Sequence, residues 1–161
     1  MIRELKPPEL SAAADVIRAS FATVAKDFGI TEQNCPKHTA FVTTAERLQT
    51  HYNWGWLMYG MYENERLVGY ASISKEAEGA YELHNLAVLP DYRHKGYGKR
   101  LLGHCQMKVK ELGGDKITLG MIEENTVLKN WYASNGFIHT RTKKIEQFPF
   151  TSGFMEWEAI K

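Results

Sequence analysis

The sequence lacks several features that would place it in a special class of protein. It has only two cysteines in 161 residues, and neither belongs to a Cys-x-x-Cys pair or stands near a spaced set of histidines. A disulfide framework and a metal site are therefore not expected. No apolar run is long enough for a membrane span, and the segment Met1–Leu5 lacks the apolar core of a signal peptide. These absences predict a cytoplasmic protein.

The chain also lacks an excess of charge of one sign. Its formal net charge is +1, which gives no general basis for binding nucleic acid or a membrane surface. With 43% apolar and 24% charged residues, the composition is that of an ordinary globular protein. We therefore expect one domain over residues 1–161, large enough to bury a core without disulfides or metals.

The two cysteines are expected in different environments. Cys105 falls on the apolar stripe of a predicted helix, together with Leu101, Leu102, Val109 and Leu112, so it should be a core residue. Cys35 precedes Pro36 in a polar stretch, and we expect it at the surface, as an inert thiol or as a reactive one.

Hydrophobic periodicity predicts a β-α-α-β-β-β-α-β-α-β-β order. Such an order indicates an α/β (α+β) mixed sheet with helices on both faces. The predicted strands are 2–5, 56–62, 67–74, 81–89, 116–121, 137–147 and 154–160, and the predicted helices are 11–29, 39–51, 96–112 and 125–134.

The most informative segment, Leu86–Leu102, reads LAVLPDYRHKGYGKRLL: an apolar strand, a basic glycine turn and an amphipathic helix. A strand that leads through a glycine turn into a helix leaves free backbone N–H groups for a phosphate. Gly96 and Gly98 let an anion approach the main chain closely, because they have no Cβ. Four side chains add positive charge around this turn: Arg93, His94, Lys95 and Lys99.

The turn is neither a P-loop, since it lacks Gly-Lys-Ser/Thr, nor a dinucleotide fingerprint, since it has a single Gly-x-Gly. Arg93-x-x-Gly96-x-Gly98 instead resembles the Arg/Gln-x-x-Gly-x-Gly/Ala motif with which GNAT N-acetyltransferases bind pyrophosphate. The downstream pattern of Asn125, Tyr132 and Gly136-Phe137 is similar to that family as well. The predicted order of elements extends the resemblance over nearly the whole chain.

The resemblance implies a site for acetyl-CoA. Backbone N–H groups from His94 to Lys99 would hold the pyrophosphate at the helix N-terminus. Leu86 and Val88 would offer backbone partners to the pantetheine arm where the fourth and fifth strands splay apart, and a backbone N–H near Val88 would stabilise the oxyanion. The implied coenzyme-binding residues are Leu86, Val88, Arg93, His94, Lys95, Gly96, Tyr97, Gly98, Lys99 and Asn125.

The resemblance also implies catalytic residues. Tyr132 would protonate the departing thiolate, since a phenol of pKa ~10 is a protonated donor at neutral pH. Glu82, four residues before Leu86, would accept the proton of the amine through a water molecule. His84 is the second candidate base, because alternate strand residues share a side unless a bulge separates them.

The function predicted from these residues is direct transfer of an acetyl group from acetyl-CoA to a primary amine of a small molecule or protein. Two alternatives stay open: a non-catalytic acyl-CoA sensor or scaffold of the same fold, and an ATP or NAD binder. The sequence contains no recognisable motif that identifies the acceptor. Segment 51–56 and the loops 30–38 and 148–153 are expected near it. Pairing through the final strands would give a homodimer.

Overall fold

The computed structural model describes residues 1–160, which form one seven-stranded sheet and five α-helices. The strands are β1 Ile2–Glu4, β2 Leu57–Glu63, β3 Arg66–Ala77, β4 Ala80–Val88, β5 Lys116–Ile122, β6 Ile138–Lys144 and β7 Thr151–Glu158. The helices are α1 Leu10–Asp27, α2 Thr39–Val42, α3 Ala45–Asn53, α4 Tyr97–Glu111 and α5 Thr126–Ser134. Short 3-10 turns at Pro7–Glu9 and Pro90–Tyr92 precede α1 and α4.

The sheet is mixed, as predicted, and its strand order is β1-β2-β3-β4-β5-β7-β6. Neighbouring strands are antiparallel except β4 and β5, which run parallel because α4 connects them. Helices cover both faces, so the fold class expected from the sequence is confirmed.

Each face of the sheet has its own apolar core. On one face α4 buries Leu101, Leu102, Cys105 and Val109 against β3, β4 and β5, whereas Leu112 caps the helix and is exposed. On the other face α1 and α3 pack against side chains that include Met58 and Tyr70 of β2 and β3. Burying one large apolar side chain contributes about 1.5–3 kcal/mol, so these stripes hold α4 and α1 in place.

The two parallel strands diverge in the middle of the sheet. Pairing between β4 and β5 extends only from Ala80–Lys116 to Glu82–Thr118. Beyond it β4 has a bulge: its register against β3 gains one residue between His84 and Ala87, and Asn85 has a φ of 53°. The carboxyl halves of the two strands therefore border an opening in the sheet.

A third apolar cluster closes the sheet near the end of β5. It joins Ala25 of α1, Ile30 and Cys35 of the following loop, Ile122 of β5 and Phe150 of the β6–β7 connection. The prediction that Cys35 lies at the surface is wrong: its side chain is buried, and burial raises the pKa of the thiol. The polar composition around Cys35 concealed its apolar partners, which are distant in sequence.

Four predicted elements have clearly different bounds in the structure. The strand expected over 67–74 ends three residues later, at Ala77, and the strand expected over 137–147 ends three residues earlier, at Lys144. The helix expected over 39–51 is two helices, because Thr44 is extended and its hydroxyl accepts the Arg47 N–H at 3.1 Å as the N-cap of α3. The last strand begins at Thr151 instead of 154, since the Thr151 N–H donates to the carboxylate of Glu124 and the strand pairs with β5 from Ser152 onward. No helix within residues 1–160 is long and apolar enough to span a membrane.

Candidate functional site

The glycine turn lies between β4 and α4 and presents free backbone N–H groups. Gly96 has a φ of 81° as the N-cap of α4, and His94 has a φ of 64°. Within residues 1–160, no backbone N–H from His94 to Lys99 has a hydrogen-bond partner. Consecutive N–H groups in such a turn, at the positive end of a helix, form a concave site for an anion.

The guanidinium of Arg93 forms hydrogen bonds within the protein. It donates to the carbonyl oxygen of Val88, to the carbonyl and hydroxyl oxygens of Ser20, and to the hydroxyl of Thr23, each at 3.2 Å. The guanidinium therefore connects the glycine turn to α1 and β4. Burial of this side chain lowers its pKa, which the nearby Asp27 carboxylate partly offsets.

The other side chains of the turn divide into two groups. Tyr97 donates its hydroxyl to Glu63 at 2.6 Å, and Lys95 lies 3.5 Å from the same carboxylate, so both are held against the β2–β3 hairpin. His94 and Lys99 are exposed beside the free N–H groups. The positive charge available to an anion is accordingly smaller than the sequence predicts.

A cleft of about 890 Å³ extends from the glycine turn across the opening between β4 and β5. Of the predicted coenzyme-binding residues all but Lys95 line it, and Tyr132 lines it as well. Gly98 is part of its wall, since a Cβ at this position would lie 3.6 Å from Trp131. The arrangement brings the predicted phosphate site and the predicted acid into one cavity.

Tyr132 lies on α5 with its ring buried against Trp131 and Phe137, at centroid distances of 5.0 and 5.4 Å. Burial raises the pKa of its phenol, and the neighbouring Cys105 adds to the shift. The phenol is therefore fully protonated at neutral pH. A protonated phenol that is mostly buried and lines the cleft can donate a proton to a leaving group there.

Glu82 and His84 lie on the same side of β4, before the bulge. The Glu82 Oε2 and His84 Nδ1 atoms are 3.6 Å apart, and His84 Nε2 lies 2.8 Å from the hydroxyl of Ser74. Burial, and secondarily Glu76, raises the pKa of Glu82. Burial, and secondarily His51, lowers the pKa of His84 to about 4, so its imidazole is neutral at pH 7 and the pair is no ion pair.

An aromatic stack supports this pair from the α3 side. The Trp56 indole lies between the imidazoles of His51 and His84, with centroids 3.9 Å apart on each side. Neither Glu82, His84 nor any residue of 51–56 lines the cleft. The expectation that segment 51–56 borders the acceptor pocket stays a prediction; the Trp56 ring packs on His84 of β4, outside this cleft.

Comparison with known proteins decides the family. The model of the Acetyltransferase (GNAT) family matches residues 26–137, which is more than half of the chain and includes the glycine turn and most of the cleft wall. The chain belongs to the GNAT acetyltransferase family. The resemblance inferred from the sequence is confirmed.

Two of the similar GNAT proteins are named for different acceptors, and a third is named for none. The ribosomal protein bS18-alanine N-acetyltransferase of Haemophilus influenzae is 33% identical over 94 residues, which cover 58% of this chain and 62% of that protein. The PaiA N-acetyltransferase of Thermoplasma acidophilum, solved with coenzyme A, superposes with a TM-score of 0.80 at 24% identity and covers 98% of both chains. An aminoglycoside 6'-N-acetyltransferase complexed with coenzyme A has a TM-score of 0.76 at 18% identity and covers 100% of this chain and 98% of that one.

Sequence reasoning missed several residues of this GNAT site. Ser20 and Thr23, which accept the hydrogen bonds of Arg93, are polar residues of α1 that belong to no recognisable motif. Trp131 is adjacent to the recognised Tyr132 and could have been inferred from that position.

Asn125, which was predicted, lines the cleft, and its Oδ1 also accepts the Leu128 N–H as the N-cap of α5. No group of acidic, histidine or cysteine side chains that could hold a metal occurs in the described chain.

Proposed function

We propose that the protein is an acetyl-CoA-dependent N-acetyltransferase that transfers the acetyl group directly to a primary amine in a ternary complex. The observation that carries this proposal is the row of unpartnered N–H groups from His94 to Lys99 beside the opening between β4 and β5. Membership of the GNAT family and the coenzyme A bound to related structures support it. Acetyl-CoA supplies the acetyl group as an activated thioester.

The residues of the cleft fit the parts of coenzyme A. Backbone N–H groups of the glycine turn bind the pyrophosphate, and Gly96 supports this turn because it adopts a φ of 81° that side chains disfavour. Leu86 and Val88 present the unpaired edge of β4 to the amides of the pantetheine arm. The side-chain nitrogen of Asn125 is free to contact the same arm, since the cap uses only Oδ1.

Tyr132 donates one of the two protons that are transferred in the reaction, and Glu82 accepts the other. The amine nitrogen forms a bond to the thioester carbon, and the bond from that carbon to sulfur breaks. Tyr132 donates its phenolic proton to the departing sulfur, while Glu82 receives the proton of the amine through water. A backbone N–H near Val88 stabilises the charge on the thioester oxygen.

Glu82 is a better candidate than His84 for the base. The raised pKa of Glu82 brings it closer to that of the amine, whose unperturbed pKa is ~10.4 for a lysine-like ammonium. The lowered pKa of His84 makes its imidazole a weak proton acceptor, and Trp56 covers one face of the ring. We assign His84 a structural role, in which its hydrogen bond with the Ser74 hydroxyl connects β4 to β3.

A non-catalytic acyl-CoA sensor of the same fold is the second candidate, and release of thiol separates the two. Purified protein is mixed with acetyl-CoA and a panel of amines that contains amino-acid amides, short peptides, polyamines and aminoglycosides. The proposal expects free coenzyme A to appear at a rate that depends on amine concentration, with an equal amount of N-acetylated amine by mass spectrometry. Binding of coenzyme A without thiol release for any amine would favour the sensor, and displacement of coenzyme A by ATP or NAD would favour a nucleotide binder.

A further inference from the structure

One part of the cleft has a composition that the coenzyme does not explain. Five phenylalanines line it, and they come from α1 and from the segment that follows β6, neither of which carries a predicted coenzyme-binding residue. These cleft phenylalanines are Phe21, Phe28, Phe148, Phe150 and Phe154.

The cleft phenylalanines after β6 are held in place by the surrounding chain. Phe148 and Phe150 stack with centroids 5.3 Å apart. Lys144 donates to the carbonyl oxygens of both residues, at 3.2 and 3.4 Å. Phe154 lies across Gly120, where a Cβ would approach its ring to 3.3 Å. The cleft phenylalanines after β6 are therefore held by contacts with each other, with Lys144 and with Gly120.

Charge around the cleft argues against a polycationic occupant. Asp27 is the one carboxylate among the described residues that line the cleft, and it lies near the guanidinium of Arg93. Lys99 adds a positive charge to the lining. Polyamines and aminoglycosides carry several ammonium groups, each of which needs a carboxylate or water when it is enclosed.

His38 adds a neutral hydrogen-bond donor beside the cleft phenylalanines. Its Nδ1 accepts the Ala40 N–H at 3.2 Å, so the neutral ring carries its proton on Nε2. Burial lowers the pKa of His38, which keeps the ring neutral, and the ring lies edge-on to Phe21. An N–H at this place matches a carbonyl oxygen better than a second ammonium group.

We infer that the acceptor is a primary amine that carries an aromatic or large aliphatic group beside a neutral carbonyl group, and that the cleft phenylalanines select it. This inference rests on the proposed acetyl transfer and narrows its substrate class. The shared chemistry occurs in an amino-acid amide and at the N-terminus of a peptide. Burial of the apolar group provides the selectivity, since about 25 cal/mol is gained for each Å² removed from water.

The test compares kcat/KM for acceptors that differ in one feature. Phenylalaninamide and glycinamide share the α-amine and the amide, and differ in the side chain alone. We expect phenylalaninamide to exceed glycinamide about tenfold or more, and spermidine and kanamycin to react more slowly than either. A tripeptide that begins with phenylalanine separates the two sources: a higher value than for phenylalaninamide indicates a peptide acceptor, and a lower value a small amine.

Two substitutions connect this preference to the cleft phenylalanines. Phe148→Ala should reduce the ratio of phenylalaninamide to glycinamide about tenfold. Phe41→Ala is the matched control, because Phe41 packs against the same apolar cluster without lining the cleft, and it should leave the ratio unchanged. If Phe148→Ala fails to fold, Phe28→Ala tests the same ratio.

Equal values for all amines, a preference for spermidine or kanamycin, or an unchanged ratio in a folded Phe148→Ala protein would overturn the inference. Thiol release with any of these amines would still support the proposed acetyl transfer. Absence of thiol release with every amine would instead contradict the proposed function itself, so the two failures are distinguishable.

Discussion

The guanidinium of Arg93 and the hydroxyl of Ser20, 73 residues apart in sequence, are joined by a hydrogen bond of 3.2 Å. A second bond of the same length reaches the Ser20 carbonyl oxygen. The first residue of the predicted phosphate-binding motif thus connects the glycine turn to α1. We therefore propose that Arg93 supports anion binding indirectly, through the position of the backbone N–H groups that follow it.

Replacement of Arg93 tests this connecting role. Arg93→Gln should lower the free energy of unfolding by about 1–3 kcal/mol, because it removes bonds from a charged donor to partly buried oxygens. It should also weaken binding of coenzyme A. Arg100→Gln, an equal loss of charge at an exposed position of α4, should change stability by less than about 0.5 kcal/mol. Urea unfolding and calorimetry measure both, and equal effects of the two variants would contradict the role.

Glu82 should control the dependence of the rate on pH. A base works only when it is ionised, and burial raises the pKa of Glu82, so kcat/KM should increase as pH increases through this raised pKa. Glu82→Gln should abolish that limb of the profile and lower kcat about a hundredfold. Glu76→Gln removes the nearby charge and should shift the limb to lower pH without abolishing it. An unchanged profile in Glu82→Gln would exclude Glu82 as the base.

His84 should make the fold less stable in mild acid. Its pKa is about 4 in the folded chain, against ~6.5 in an unfolded one, so the unfolded chain binds more protons between these values. The free energy of unfolding should therefore fall as pH decreases from 6.5 to 4, by about 3 kcal/mol for this residue. Urea unfolding across this range should show a smaller decrease for His84→Gln than for the original chain. Equal decreases would indicate that His84 is protonated in the fold.

Tyr132 should affect the chemical step alone. Tyr132→Phe removes one hydroxyl from a buried ring and should lower kcat about a hundredfold, with little change in the dissociation constant of coenzyme A. Tyr59→Phe is the control: Tyr59 is buried in the same core, its hydroxyl has no partner, and it does not line the cleft. Stopped-flow detection of the released thiol gives kcat for both variants. A kcat that Tyr132→Phe and Tyr59→Phe change equally would count against the assignment.

Local sequence signals predicted most of the fold and the place of the glycine turn before α4. The glycine turn is encoded in adjacent residues, so Gly96 could be placed at a helix N-terminus from the sequence alone. Contacts between distant segments were not accessible in this way. The partners of Arg93 on α1 and the apolar surroundings of Cys35 depend on how α1 crosses the sheet, and no spacing in one sequence records that.

The same limit explains two of the errors in secondary structure. The apolar period from 39 to 51 is continuous, and it conceals the break at Thr44, where a hydroxyl that caps α3 competes with the helix. The early start of β7 depends on Glu124, which belongs to the turn before α5 and is remote in sequence. The loop 148–153, which was expected near the acceptor, supplies Phe148 and Phe150 to the proposed acceptor side of the cleft, whereas no spacing in the sequence predicts that Phe21, Phe28 and Phe154 join them.

The central claim is that coenzyme A binds through its pyrophosphate at the glycine turn, and calorimetric titration with coenzyme A tests it most directly. Gly96→Ala and Gly113→Ala are matched substitutions just before and just after α4, because both glycines have a φ of 81° and open space where a Cβ would lie. Both should lower the free energy of unfolding by about 1–2 kcal/mol. We expect Gly96→Ala to weaken binding about tenfold or more while the protein stays folded, because a methyl group or a shifted backbone at this turn disturbs the free N–H groups that line the cleft. Gly113→Ala, which does not line the cleft, should bind as tightly as the original chain. Equal affinity in both variants, or no binding by the folded original chain, would contradict the account.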